Sequence, residues 1–277
     1  MYTHLQQAAR ERPPVSLSTL RKMRDSGEKL AAITAYDASF ALAVDLAGAD
    51  IVLVGDSLGM VIQGHDTTVP VTMDDIVYHS RAVARGLHRP FLIADMPFMS
   101  FSTPEMAAVN AARLMQEGAA KMIKLEGGAA QLKVVEHLAG CDIPVCAHIG
   151  LTPQSVHKIG GFKVQGREHD AARRLVADAK SLEGAGADLI VLECIPNALG
   201  KEITQSLQIP TIGIGAGPDT SGQIIVLYDI LDIAPGRKPR FAHNFLAGRE
   251  SIGDAIAAYV AGVKDGSYPA PEHCFAD

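Results

Sequence analysis

Short apolar runs, each closed by an acid, a histidine or a glycine, recur along this chain with helix-length segments between them. Ile51-Val52-Leu53-Val54 ends at Gly55-Asp56-Ser57, and Phe91-Leu92-Ile93-Ala94 ends at Asp95. Lys121 to Leu125 runs into Glu126-Gly127-Gly128, Pro144 to Ala147 into His148, and Leu189 to Leu192 into Glu193. Further runs at Leu30 to Ala35, Pro210 to Ile214 and Gln223 to Leu227 make eight. They are apolar at successive positions and not at alternate ones, as expected of parallel strands buried on both faces. A doubly wound sheet would also alternate strand and helix, but eight units in about 250 residues is barrel size. The pattern predicts an α/β fold, a (β/α)8 TIM barrel.

The intervening segments carry helix signals. Thr72-Met73-Asp74-Asp75 and Ser102-Thr103-Pro104-Glu105 have capping-box spacing, the second with proline in the first turn. Arg167 to Glu183 places Ala172, Leu175, Val176, Ala179 and Leu182 on one stripe, with Gly184 as its stop. Ser16 to Ser26 predicts an N-terminal helix closing the barrel bottom, and Ser251 to Lys264 the last outer helix.

Composition narrows the class. The 277 residues are 48% hydrophobic and 20% charged, without a low-complexity tract or linker, which favours one catalytic domain over residues 1–277. A formal net charge of -6 gives no basic field for a nucleic acid partner. Four cysteines, Cys141, Cys146, Cys194 and Cys274, form no Cys-x-x-Cys pair and fit a reducing compartment. Met1 to Pro14 lacks the apolar run of a secretory signal, and no stretch reaches membrane-spanning length, so a cytoplasmic location is expected.

In such a barrel the loops after the strands build one mouth, where Asp56, Asp95, Glu126, His148 and Glu193 would converge. A single acid after a strand commonly caps the next helix. Three after successive strands would crowd negative charge unless a cation neutralised it, and oxygen ligands point to a hard ion such as Mg²⁺. Asp56 and Asp95 are the expected direct ligands, with Glu126 binding directly or through water. A 2-oxo acid chelating that ion would have its neighbouring C–H acidified. Glu193, after the apolar run Leu189 to Leu192, is the candidate base, with a pKa raised by desolvation. Lys124 shares a face with Glu126 by strand alternation and would neutralise the substrate carboxylate or pair with that glutamate. Ser57 reads as a substrate contact or a turn residue, and His148 as a catalytic or a buried, hydrogen-bonded histidine. Gly161 to Glu168 has phosphate-loop spacing without the required Lys and Ser/Thr, so it reads as a loop. Gly213-Ile214-Gly215-Ala216-Gly217 is followed by Pro218, which breaks a dinucleotide fingerprint and leaves close packing at the mouth as its explanation. Cys194 reads as structural.

Seven motifs, in this order, resemble the ketopantoate hydroxymethyltransferase family, from about Ser16 to Tyr259. They are Thr34-Ala35-Tyr36-Asp37, Gly55-Asp56-Ser57-Leu58-Gly59-Met60, Asp95-Met96-Pro97-Phe98, Lys124-Leu125-Glu126-Gly127-Gly128, His148 to Ser155, Glu193-Cys194-Ile195-Pro196 and Gly213 to Gly217. The resemblance implies Mg²⁺ on Asp56 and Asp95 with Glu126 attending, substrate contacts from Ser57 and Lys124, Glu193 as base, and His148 as a further site residue. It implies transfer of a one-carbon unit from 5,10-methylenetetrahydrofolate to 3-methyl-2-oxobutanoate, giving 2-dehydropantoate and tetrahydrofolate. It also implies a homo-oligomer, a decamer by analogy. Departures are His65, where the family usually has tyrosine, and Phe241-Ala242-His243-Asn244-Phe245, a variant of a basic-aromatic stretch. Two other readings are open: a Schiff-base 2-oxo acid aldolase with Lys124 as nucleophile, and a non-catalytic ligand-binding barrel whose strand-end acids are caps.

Overall fold

Why the strand runs are apolar at every position is evident in the computed structural model, which describes residues 12–234 and 238–276. Eight parallel strands close on themselves in chain order, from β1 to β8, and β8 pairs back with β1. They are β1 (Leu30–Thr34), β2 (Ile51–Val54), β3 (Phe91–Asp95), β4 (Met122–Glu126), β5 (Val145–Gly150), β6 (Leu189–Glu193), β7 (Thr211–Ile214) and β8 (Gly222–Ile225). Alternate residues serve different cores. Ala31, Val52, Leu92, Ile123, Ala147 and Ile190 pack outward against the helices. Ala32, Ile51, Ile93, Met122, Cys146 and Val191 fill the barrel interior. Each strand meets apolar surroundings on both faces.

The Leu17–Ser26 helix starts at Ser16, whose hydroxyl accepts from the Thr19 N–H, and ends at Gly27 with φ 75°. Its buried Leu20 and Met23 join the interior cluster beside Leu30, Ile51 and Phe91 at the strand starts, so it closes the barrel bottom as expected. The interior above it is nearly filled, with a void of only about 10 Å³ below Lys124.

Other boundaries move slightly. Thr72 caps Met73–Gly86 with the expected box to Asp75, whereas the cap of Pro104–Gln116 is Thr103, whose hydroxyl accepts from the Met106 N–H. The predicted 167–183 helix is His169–Gly184, and the predicted 251–264 helix is Ile252–Asp265, capped by Ser251. Strand β8 covers Gly222–Ile225, because Leu227 already begins a short helix whose N–H bonds to the Thr34 hydroxyl. Gly161 to Glu168 is irregular, as read. The Met1–Pro14 stretch read for a secretory signal lies largely outside the described residues. Among the described residues no helix is long and apolar enough to cross a membrane.

Candidate active site

At the C-terminal end of the barrel the inward positions change from apolar to charged within one layer. Strand register explains which groups meet. Asp95 on β3 lies opposite Lys124 on β4, and Glu126 on β4 opposite His148 on β5. Val191 on β6 lies opposite His148, so Glu193, two residues on, shares its face. Asp56 and Ser57 follow β2 directly. Asp56, Asp95, Lys124, Glu126 and His148 are buried, and Glu193 is the most open, with 14% of its side chain exposed. All seven expected residues line one cavity of about 1110 Å³.

The charged groups form a continuous chain. Lys124 Nζ sits 2.8 Å from Asp95 Oδ1 and 3.2 Å from His148 Nδ1. His148 Nδ1 lies 3.5 Å from Glu126 Oε1, and its Nε2 lies 3.1 Å from Glu193 Oε2. The Asp56 N–H donates to Asp95 Oδ2 at 3.0 Å. Gly55 permits this approach, since a Cβ there would fall 2.9 Å from Ser57 Oγ and 3.3 Å from Asp95 Oδ2.

Three groups to which sequence reasoning gave no role complete the site. Gln154, in the turn after β5, donates its N–H to Glu126 Oε2 at 3.0 Å. Its side-chain amide donates to Asp56 Oδ2 and to the Met96 carbonyl, each at 2.9 Å, so one residue braces two of the three acids. Tyr36 shares a 2.8 Å hydrogen bond with the Ser57 hydroxyl. Asp229, after β8, lines the far wall. Gln154 and Tyr36 stand inside recognised motifs, and a buried polar residue beside an acid run is the one signal that marks them. Phe241 lines the cavity, whereas His65 is exposed and does not.

Electrostatics separate the roles. Burial first, then repulsion from Asp95 and Glu126, holds the Asp56 carboxyl well above the ordinary range. Burial also raises Asp95 against the pull of Lys124. Burial opposes the charge on Lys124, but Asp95, Glu126 and Asp56 outweigh it and hold the ammonium protonated. A lysine so held is a poor imine-forming nucleophile, which counts against the aldolase reading. Burial and Lys124 oppose protonation of His148, whereas Glu126 and Glu193 outweigh them and raise it to about 9.

Among the described residues, no three His, Cys, Asp or Glu side chains form a ready-made metal cage. The donor set still suits a hard ion. Asp56 and Asp95 are neighbouring oxygen donors that burial and repulsion among the acids raise above the ordinary carboxylate range, with Lys124, among the described residues, the one cation already against Asp95. Mg²⁺ commonly takes only one or two carboxylates and fills its other positions with water and substrate oxygens.

A closed parallel barrel whose strand-end layer is charged is the build of a (β/α)8 enzyme. Solved structures share the fold: a phosphonopyruvate hydrolase complexed with oxalate and Mg²⁺ aligns at TM-score 0.61 and 16% identity, over 89% of this chain and 95% of its own. A 2,3-dimethylmalate lyase, described as a PEP mutase/isocitrate lyase superfamily member, aligns at TM-score 0.55 and 17% identity, over 76% and 80%. The family model for ketopantoate hydroxymethyltransferase matches residues 14–271, and the chain belongs to that family, whose members are transferases. Among its relatives, the 3-methyl-2-oxobutanoate hydroxymethyltransferases of Shewanella loihica and Alkalilimnicola ehrlichii are 59% and 57% identical. The first alignment covers 94% of this chain and 98% of the relative, the second 95% of each.

Proposed function

We propose that this chain, acting as one catalytic domain, transfers a hydroxymethyl group to 3-methyl-2-oxobutanoate from 5,10-methylenetetrahydrofolate, with one water consumed, giving 2-dehydropantoate and tetrahydrofolate. The observation that carries the mechanism is the run of contacts Asp95, Lys124, His148, Glu193, which sets a carboxylate base at the open end of the charged layer. Asp56 and Asp95 would hold Mg²⁺, with Glu126, braced by Gln154, as a direct or water-mediated partner. The ion would supply a fixed positive charge that lowers the cost of negative charge developing on the substrate oxygens.

The protein's own groups do the rest. Lys124 neutralises the substrate carboxylate, and Ser57, oriented by Tyr36, offers a hydroxyl beside Asp56. Glu193 takes the C3 proton, and His148, whose Nε2 lies 3.1 Å from its Oε2, holds its side chain toward the mouth. The carbon so exposed bonds to the donor's methylene carbon as both of that carbon's bonds to folate nitrogens break, the water supplying the hydroxyl group and protons returning to the nitrogens. Tyr78, Phe98, Met99, Met106 and Val109, exposed apolar side chains on two adjacent helices and a loop, support assembly into a homo-oligomer.

Deuterium wash-in at C3 without the folate donor tests this half-reaction. Exchange should stop on chelation and return with Mg²⁺. Glu193→Gln should still bind substrate while exchanging about 10²–10⁴-fold more slowly. Undiminished exchange in that variant would overturn the base assignment, and exchange that survives chelation would overturn the role of the ion.

A further inference from the structure

The cavity is larger than a five-carbon keto acid needs. Pockets of roughly 300–1,000 Å³ hold drug-sized ligands, and this one measures about 1110 Å³. Its two walls differ in chemistry. The wall formed by β2 to β6 carries the charged chain described above. The opposite wall, formed by the segment after β8 and the C-terminal residues, carries Asp229, Lys238, Arg240, Phe241 and Phe275.

Asp229 is the unusual member of that wall. It is 92% buried, counting from its 8% exposure, and faces the cavity. Among the described residues its carboxylate accepts no hydrogen bond and forms no ion pair. Among the described residues, the charges that act on it are those of Lys238, Glu193 and Asp232. Its placement is secured: the Phe245 N–H donates to the Ile230 carbonyl, and the Tyr268 hydroxyl to the Phe241 carbonyl at 2.6 Å. Gly215, at φ 61°, lets two rings close over the end of β7, since a Cβ there would lie 2.9 Å from both Phe241 and Phe275.

A largely buried carboxylate with no partner among the described residues suits a ligand with paired N–H donors, which two parallel bonds would hold. The rings of Phe241 and Phe275 on the same wall suit a planar heterocycle. We propose that Asp229 recognises the pterin head of the donor, accepting from the ring N–H and the amino group of its 2-amino-4-oxopyrimidine edge, while the ring packs against Phe241 and Phe275. This rests on the folate-donor reading above and assigns that donor its specificity-determining residue. Placed so, the pterin lies across the mouth from the candidate ion site, with the keto acid between the two walls.

The test uses the full chain with Mg²⁺ and the variants Asp229→Asn and Asp229→Ala. Asparagine keeps the shape but turns one acceptor into a donor, facing the pterin N–H groups with a like group. The measurements are the dissociation constant of tetrahydrofolate by calorimetry, the KM for 5,10-methylenetetrahydrofolate, and deuterium exchange at C3 without donor. Both folate constants should rise roughly tenfold or more in each variant, with exchange within about threefold of the unsubstituted chain. Folate constants within about twofold would overturn the proposal. A parallel fall in exchange would also overturn it, by showing that Asp229 merely supports the mouth. Failure of the unsubstituted chain to bind tetrahydrofolate would instead refute the donor reading itself.

Discussion

Asp229 sits in the fold at an energetic loss, and its titration gives that loss a sign. Burial raises its carboxyl from 3.8 to about 6, Lys238 opposing and Glu193 and Asp232 adding to the rise. Between those values the folded chain keeps a proton that the unfolded chain has released, so stability falls as pH rises through the window. The full penalty, at most about 3 kcal/mol, is present above pH 6 and absent below pH 4. Asp229→Asn should therefore stabilise the protein by about 1–3 kcal/mol at pH 7.5 and hardly at all at pH 4, read from urea unfolding at each pH. An equal gain at both values would mean that packing, not charge, had changed. The site residues around it were legible in sequence as strand-end acids, but their contacts were not. Gln154 reaches Asp56 across 98 positions, and Tyr36 reaches Ser57 across 21, separations over which no local periodicity reports a contact.

At the scale of elements, the junction of β5 and β6 decides where the base points. Gly150 has φ 94°, and a Cβ there would lie 2.2 Å from the Glu193 carbonyl, which accepts from the Leu151 N–H at 2.8 Å. Cys194 follows with φ 48°, a conformation that costs a non-glycine residue about 1–2 kcal/mol. It turns the chain immediately after Glu193, which gives that cysteine a backbone role beyond filling space. Gly150→Ala should push the two strand ends apart and slow deuterium exchange by about 10²-fold, the scale on which a misplacement near 1 Å is felt. Exchange per folded molecule, with the folded fraction taken from circular dichroism, is the measurement. Unchanged exchange would show that β6 holds Glu193 without this close approach. The eight strands themselves were legible because both faces of each are apolar. The end of β8 and the cap at Thr103 were not, because hydrogen bonds set those boundaries, one of them from distant Thr34.

Across the whole molecule, the barrel is tied at its lower end by a group that serves no chemistry. Asp50, fully buried, accepts from the Ala31 N–H at 3.0 Å and pairs with Arg89 at 2.9 Å and Lys264 at 2.6 Å. It joins β1, the approach to β3 and the last helix, Ile252–Asp265. Asp50→Ala should cost about 3 kcal/mol, near the low end for breaking a buried pair, because Arg89 and Lys264 keep 19% and 26% exposure. The thermal midpoint should fall while exchange at C3, measured well below it, changes little. A matching loss of exchange would show that the bottom of the barrel is coupled to the mouth. The chain by itself determined the count of strands, their parallel order, the closing helix and the acids at the mouth, because each follows from local periodicity and from which residue ends an apolar run. Tertiary structure alone decided which charges touch, that His148 lies between Glu126 and Glu193, that Gln154 braces the acids, and that Asp229 shares a cavity wall with Phe241 and Phe275. Those depend on distances across a closed barrel, and burial there changes what a charge costs.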